Sequence, residues 1–331
     1  MIKVNGITTG KFVNAIADVS VQFLNGIENV QNINCLVVAN VGYAAQSADN
    51  GVNWTQISGI LATDDLLDCD MSNDGKYRII TTSVSGKIYL STDFGVTYTS
   101  TSVPNIGYIK VKISATGQYM ILCTNSGQGI CKSSNYGVTW TYQTIDYVNY
   151  FNNIMMDSTG QYLVLTGSSV IKKSIDYGAT WTSTIAQPFA SVQATDFVIS
   201  GDNSLYFAVN NASQAGLVPR YSTNGGVSWN NAQGGLAEAA AFSISCSYDG
   251  KYILIGKNAA TCIVSSNYGV SWSYISSVLS SVFYCNGMSN NGKIMLLGGA
   301  SNKMCLSNNY GVSFFEITAL GNRYWNGACA K

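Results

Sequence analysis

Between residues 30 and 331 no stretch keeps the three-to-four-residue apolar spacing of an amphipathic helix; short apolar blocks instead follow small polar turns. The clearest turns are Asp74-Gly75, Thr116-Gly117, Thr159-Gly160 and Asp249-Gly250. Each is followed two residues later by a tyrosine (Tyr77, Tyr119, Tyr162, Tyr252) that opens a run of Ile, Val, Leu or Met, broken only by Arg78 after the first. Glycine after Asp or Thr supplies the positive φ of a tight antiparallel turn, so these blocks read as hairpin strands. Apolar residues at successive rather than alternate positions predict strands covered on both faces.

A second pattern falls between these blocks. The octapeptide Ser-x-Asp/Asn-x-Gly-x-Ser/Thr/Asn-aromatic begins at Ser47, Ser91, Ser133, Ser174, Ser222, Ser265 and Ser307 and ends on Trp54, Tyr98, Trp140, Trp181, Trp229, Trp272 and Phe314. Its glycines are spaced by 44, 42, 41, 48, 43 and 42 residues. A fixed period of this size marks one supersecondary unit used repeatedly.

One period holds four short strands, here A to D in chain order. In the third unit they are predicted at 109–114, 119–124, 129–133 and 139–142, with the octapeptide as the C-to-D turn. Its Asp or Asn accepts hydrogen bonds from turn amides, its glycine takes the left-handed conformation and its aromatic residue packs inward. Asp49, Asp93 and Asp176 alternate with Asn135, Asn224, Asn267 and Asn309 across the set, which argues for a structural acceptor rather than a charge.

A four-stranded unit with two apolar faces must stack on others, and seven stack around an axis with only short edges left. The fold class expected is therefore all-β, a seven-bladed β-propeller with four antiparallel strands per blade. Strand A starts about 14 residues after each octapeptide glycine, and the same count after Gly311 lands on Trp325. The C-terminal strand is thus expected to join the first blade and close the ring. Residues 29–331 form the propeller in this reading, and residues 1–28 an N-terminal arm or extra strand; Asp18 interrupts any apolar run there, so no signal peptide is expected.

The seven octapeptides resemble the repeat of Asp-box, or BNR-repeat, proteins, whose pattern is Ser-x-Asp-x-Gly-x-Thr-Trp. The resemblance covers roughly residues 30–331. It implies a β-propeller of the sialidase and sortilin type, a group that also holds other glycosidases and photosystem assembly factors, so it implies fold far more than function. Sialidase chemistry would require three arginines converging on a substrate carboxylate. Arg78 and Arg220 fall toward the octapeptide face, only Arg323 lies in a D-to-A connection, and the Arg-Ile-Pro motif of those enzymes is missing.

Composition narrows the chemistry further. The formal net charge is zero with 10% charged residues, which leaves no basic footprint for nucleic acid, and no apolar stretch reaches membrane-span length. There is no histidine, which removes Ser-His, Cys-His and His-metal chemistry. The nine cysteines form no Cys-x-x-Cys pair and read as buried thiols, so no metal and no cofactor are expected. Thiols in such number suggest folding in a reducing compartment, cytoplasmic or virion-associated. Many Lys, Asn, Ile and Tyr with few Arg, Pro and His resemble coding by an AT-rich genome, such as that of a large virus or of some protists and bacteria.

Two candidate sites remain. Asp64, Asp65, Asp68 and Asp70 are the densest charge cluster, and the parity of strand A sends Asp68, Asp70, Lys110, Lys112, Asn153, Asp196, Ser243, Ser245 and Trp325 toward the axis. The carboxylates either pair with Lys110 and Lys112 of the next blade or serve a glycoside hydrolase as acid and base. The face away from the octapeptides carries Tyr147, Tyr150, Phe189, Tyr284, Arg323, Tyr324 and Trp325, a composition suited to a sugar or a protein surface. The longest unit places its excess in residues 184–194 and 210–219 on that same face. The expected function is a non-enzymatic interaction module binding protein or glycan there, with the hydrolase as the alternative.

Overall fold

The computed structural model describes residues 32–84, 86–104, 107–124, 129–145, 151–167, 171–182, 185–189, 194–210, 218–232, 241–257, 262–275, 282–300 and 303–331. The expectation for residues 1–28 lies outside them. Residues 33–331 form seven antiparallel sheets, six of four strands and one of three, with no α-helix among the described residues and a single 3-10 turn at Thr318–Leu320. In the three-stranded sheet the fourth strand is reduced to one bridge between Lys173 and Thr182.

The innermost strands are Trp325–Ala330, Leu66–Met71, Tyr108–Ile113, Phe151–Met156, Asp196–Ile199, Ala241–Cys246 and Phe283–Met288, which define blades 1 to 7. Each touches the next, and the last returns to the first, closing a ring. Closure is made by Trp325–Ala330 pairing antiparallel with Cys35–Ala39. The main chains of Asn34 and Lys331 also exchange two hydrogen bonds of 2.9 Å. In blade 3 the strands run Tyr108–Ile113, Met120–Thr124, Gly129–Ser133 and Thr141–Thr144. The outermost starts two residues later than the sequence suggests, because the octapeptide turn holds the chain through its aromatic residue.

Every B strand is buried along its whole length. It lies between A and C in its own sheet and under a neighbouring blade on each face, which is why its sequence is apolar at successive positions. Seven hydrophobic clusters result, each formed across the interface of two adjacent blades. None of the nine cysteines is in a disulfide. Burial pushes the thiols of Cys123, Cys246, Cys262 and Cys285 up to about 12, which leaves them protonated and unreactive.

The octapeptides share one hydrogen-bond pattern. In blade 3 the Ser133 hydroxyl donates to Asn135 Oδ1 (3.0 Å) and accepts from Gly137 N (3.0 Å), while Asn135 Oδ1 accepts from Thr139 N (2.9 Å). Asp and Asn interchange freely because the last hydroxyl reverses its role. Thr97 Oγ1 donates to Asp93 Oδ2 (2.6 Å), whereas Asn135 Nδ2 donates to Thr139 Oγ1 (2.9 Å). Gly137 sits at φ 81°, and a Cβ there would lie 2.7 Å from Leu90 Cδ2, so neither backbone nor space admits a side chain. Tyr136, Tyr177 and Tyr310 also take positive φ, and each stacks on a tyrosine of the preceding blade at 4.4–5.0 Å, which offsets the strain.

Two expected results follow from this turn. Ser133→Ala removes the acceptor of the buried Gly137 N–H and should cost about 1–3 kcal/mol by urea unfolding. Asn135→Asp should stay within about 0.5 kcal/mol of the parent. In blade 4 the hydroxyl and main-chain N–H of Thr180 lower the Asp176 carboxyl from 3.8 to about 2. A carboxyl depressed by folding contributes stability above its unfolded value and loses it as pH falls. Asp176→Asn should therefore flatten the stability-against-pH curve between pH 3.8 and about 2.

Candidate functional site

The walls of the channel are set by an irregularity common to the inner strands. The pairing of strand A with strand B shifts register at 66/68, 108/110, 151/153, 241/243 and 283/285, and blade 1 has the same bulge opposite Val38/Ala39. One extra residue is accommodated there, and the side chains before it change face. Asp68, Asp70, Lys110, Lys112, Asn153, Ser243 and Ser245 lie after the bulge and line the axial cavity together with Asp196 of blade 5, whose described pairing carries no shift.

Trp325 lies before the bulge, and this corrects its expected place. It is fully buried between blades 7 and 1, edge-on to Tyr43 at 6.0 Å, in the same inner-strand position as the buried Leu66, Phe151 and Phe283. Gly327 and Cys329 hold the blade 1 positions that correspond to Asp68 and Asp70, and they line the channel instead. A count by simple alternation cannot see the extra residue.

The four carboxylates do not form one site. Asp64 is buried in the loop before blade 2, where its carboxylate accepts from Tyr89 Oη (2.6 Å) and Lys87 Nζ. Burial pushes that carboxyl up, but the two donors outweigh it and the net direction is down. Asp65 is exposed and accepts from Val41 N (3.0 Å). Asp68 Oδ2 accepts from Val111 N (3.1 Å) and Asp70 Oδ2 from Ile113 N (3.0 Å), both on the inner strand of the next blade. Asp196 repeats the arrangement, accepting from Ile244 N of blade 6 at 2.8 Å. The Asn153 amide also donates to Asp196.

These acids cap the edge of a neighbouring strand. An inner strand is the last of its sheet, and its outward N–H groups would face a narrow channel without partners. The expected pairing with lysines is weaker than this capping: Lys110 approaches Asp68 only to 3.9 Å, and Asp70 has Lys331 at 3.9 Å rather than Lys112. The Asp68 carboxylate still raises the Lys110 pKa. For Lys112, burial works against the charge, but the carboxylates of Asp70 and Asp68 overcome it and the net direction is up. Burial raises the Asp196 carboxyl, with Lys110 opposing. Among the described residues no three acids and cysteines stand close enough to hold a metal ion.

Asp70→Ala leaves the N–H groups of Met71 and Ile113 without an acceptor and should cost about 2–4 kcal/mol in thermal or urea unfolding. Asp70→Asn keeps an oxygen for one of them and should cost less than half as much.

The three arginines stand apart, and the buried Nε of Arg220 has no hydrogen-bond partner among the described residues. Arg78 is buried and donates to Gly75 O (2.8 Å), Gln46 Oε1 (2.8 Å) and Asn34 Oδ1 (3.0 Å). The Arg220 guanidinium lies 6.0 Å from the ring of Phe189. Phe189 is 2% exposed within the core between blades 4 and 5, a second correction to the expected surface set. Arg323 lies 3.4 Å over the Tyr43 ring and donates through Nε to Leu320 O at 3.1 Å.

The surface candidates that come together are Tyr284 and Tyr324. Their rings stack at 5.5 Å and 12°, and Phe242 meets Tyr284 edge-on at 5.5 Å. Tyr284 and Tyr324 are 37% and 41% exposed, large values for stacked aromatics. Phe242 and Tyr284 are the extra residues of the bulges in blades 6 and 7, and Tyr324 precedes the inner strand of blade 1. All three stand at the channel mouth away from the octapeptides. Phe242 was legible, since it holds the same repeat position as Tyr284. Tyr147 and Tyr150 lie outside the described residues.

The chain matches no established protein-family signature and no curated protein sequence. Its fold matches a GH74 xyloglucanase from Xanthomonas campestris (TM-score 0.64, 11% identity) over 89% of this chain and 52% of that one, so the chain spans about half that enzyme's length. A structure of YCF48 bound to D1 peptide matches with a TM-score of 0.61 and 12% identity, over 88% of this chain and 87% of the other. The nidogen/laminin complex gives a TM-score of 0.56 at 8% identity, over 90% and 98%. Likeness at this identity establishes the seven-bladed β-propeller fold and nothing finer.

Proposed function

We propose that the chain is an Asp-box propeller acting as a non-enzymatic interaction module, and that it binds a protein surface at the channel mouth opposite the octapeptides. The observation that carries this reading is the ladder of Phe242, Tyr284 and Tyr324, with two rings substantially exposed and their planes nearly parallel. Rigid aromatic surface that already stands in place loses little side-chain entropy on contact, which is why such residues dominate binding hot spots. Arg323, fixed over Tyr43 beside this ladder, adds a held positive charge at its rim. YCF48 with its D1 peptide and nidogen with laminin are propeller matches seen with a peptide or protein partner, which agrees with this choice over a glycan.

The xyloglucanase match keeps a hydrolase as the second reading, with Asp64, Asp65, Asp68 and Asp70 as its acids. Against it stands the commitment of Asp68 and Asp70 to main-chain N–H groups, since a general acid or nucleophile needs an oxygen available to the substrate.

Capture from the native source with immobilised chain tests the binding reading. Partners held by the parent and by Val138→Ser, a change on the octapeptide face, should be lost with Tyr284→Ala/Tyr324→Ala. Retention by the double variant together with loss in Val138→Ser would place the contact on the other face and overturn it.

A further inference from the structure

The axial cavity is lopsided although the backbone around it repeats seven times. Blades 2, 3 and 5 send charged side chains into it, whereas blades 6, 7 and 1 contribute the small residues Ser243, Ser245, Gly287 and Cys329. The small residues leave about 170 Å3 open, bounded at one end by the A-to-B turns, where Lys331 also lines the wall. Those turns are tied around the rim by main-chain bonds such as Asn73 N to Ala115 O (2.9 Å) and Ala115 N to Ser158 O (2.8 Å). The entrance is therefore held in shape without help from a ligand.

Much of the acceptor capacity of this cavity is already engaged by the protein itself. Five of the six oxygens of Asp68, Asp70 and Asp196 already accept main-chain N–H groups. Asp157, also in the wall, is spent on Thr159 Oγ1 and Tyr162 N. The amides of Asn286 and Asn326 donate to Leu254 O and Leu66 O, and Ser243 Oγ to Phe283 O. The ammonium groups of Lys110 and Lys331 stand 3.9 Å from their nearest carboxylate oxygens, beyond hydrogen-bond length. The Lys112 ammonium makes no hydrogen bond and no ion pair within 4 Å among the described residues, although the carboxylates of Asp70 and Asp68 act on it from further off. Ser245 Oγ is buried, and it too has no partner among them.

We infer that the channel binds a small dianionic oxyanion, a phosphate or a short dicarboxylate, between the Lys112 ammonium and the Ser245 hydroxyl, admitted past Lys331 from the octapeptide side. Charge-assisted donors that a fold leaves unpaired in a confined space gain most from an acceptor carrying two negative charges. Four carboxylates (Asp68, Asp70, Asp157 and Asp196) and three ammonium groups (Lys110, Lys112 and Lys331) line the wall, and each of these carboxylates already accepts main-chain N–H groups that offset part of its charge. The lysines remain cationic through neutral pH, since the nearby carboxylates raise Lys110 and Lys112 above their ordinary values. This site lies at the end of the channel away from Tyr284 and Tyr324, so it stands or falls independently of the proposed partner surface.

Calorimetric titration of the full chain with sodium phosphate and, separately, with sodium succinate, at ionic strength matched with chloride, tests the inference. At least one anion should bind saturably with one-to-one stoichiometry, and the two arms tell a phosphate from a dicarboxylate. Ser245→Ala, which changes one hydroxyl, should weaken binding about tenfold, and Lys112→Met should remove it. Circular dichroism unchanged from the parent shows that the variants fold. Absence of saturable heat for both anions up to about 10 mM, an affinity too weak to use the site, would overturn the inference. Parent-like titration of both variants would do the same.

Discussion

A chain lacking residues 325–331 should show no cooperative thermal transition, because the strand Trp325–Ala330 is the only A strand of blade 1 among the described residues. Its loss strips Cys35–Ala39 of one hydrogen-bonded neighbour and leaves a fully buried apolar strand as an open edge. It also empties the core between blades 7 and 1 of Trp325, whose removal alone should cost about 3–5 kcal/mol. Scanning calorimetry of the truncated chain, with Trp325→Ala beside it, checks both. The point variant should keep a sharp transition at lower temperature and the truncation should have none. A truncated chain that melts as the parent does would show that the ring is held by something other than its terminal strand.

Arg78→Met should destabilise by about 3 kcal/mol or more, because three neutral carbonyl oxygens at this buried seam lose their donor at about 1–3 kcal/mol each. Asn34 Oδ1 and Gln46 Oε1 each lose a donor, and the space beneath Gly95 is filled less well. The equivalent site in the next blade is apolar: beneath Gly137 lie Leu90 and Met120, in the positions that Gln46 and Arg78 occupy one blade earlier. Arg78→Met combined with Gln46→Leu rebuilds that apolar seam. It should recover more than half of the loss, a non-additivity expected of residues in contact. Denaturant unfolding of the two single variants and the double variant forms the cycle. Simple additivity would mean that the polar seam between blades 1 and 2 is not one unit.

The fold was legible because its signals repeat. Seven octapeptides and the apolar blocks between them set the blade count, and the echo of strand-A spacing after Gly311 led to Trp325 as the closing strand. The site was legible only in part, and the reasons are physical. A bulge adds one residue without leaving a mark in apolar periodicity, so alternation placed Trp325 in the channel when it belongs to the core. Phe189 looked like a surface aromatic because its loop departs from the repeat, yet it packs with Phe197 and Tyr206 between blades 4 and 5. The carboxylates were visible, but their partners were main-chain N–H groups, which sequence does not display. Alignment with Lys110 and Lys112 suggested ion pairs; Lys110 does stand 3.9 Å from Asp68, but Asp70 has Lys331 rather than Lys112, and the closer donors to both acids are Val111 and Ile113 N–H.

That assignment of the axial acids to strand capping, rather than to chemistry, is the central claim, and turnover of a panel of chromogenic glycosides tests it most directly. The parent chain and Asp68→Ala should be indistinguishable from each other and from buffer on every substrate, while Asp68→Ala melts at a lower temperature. Hydrolysis by the parent that disappears in a folded Asp68→Ala would contradict the claim and make the channel an active site.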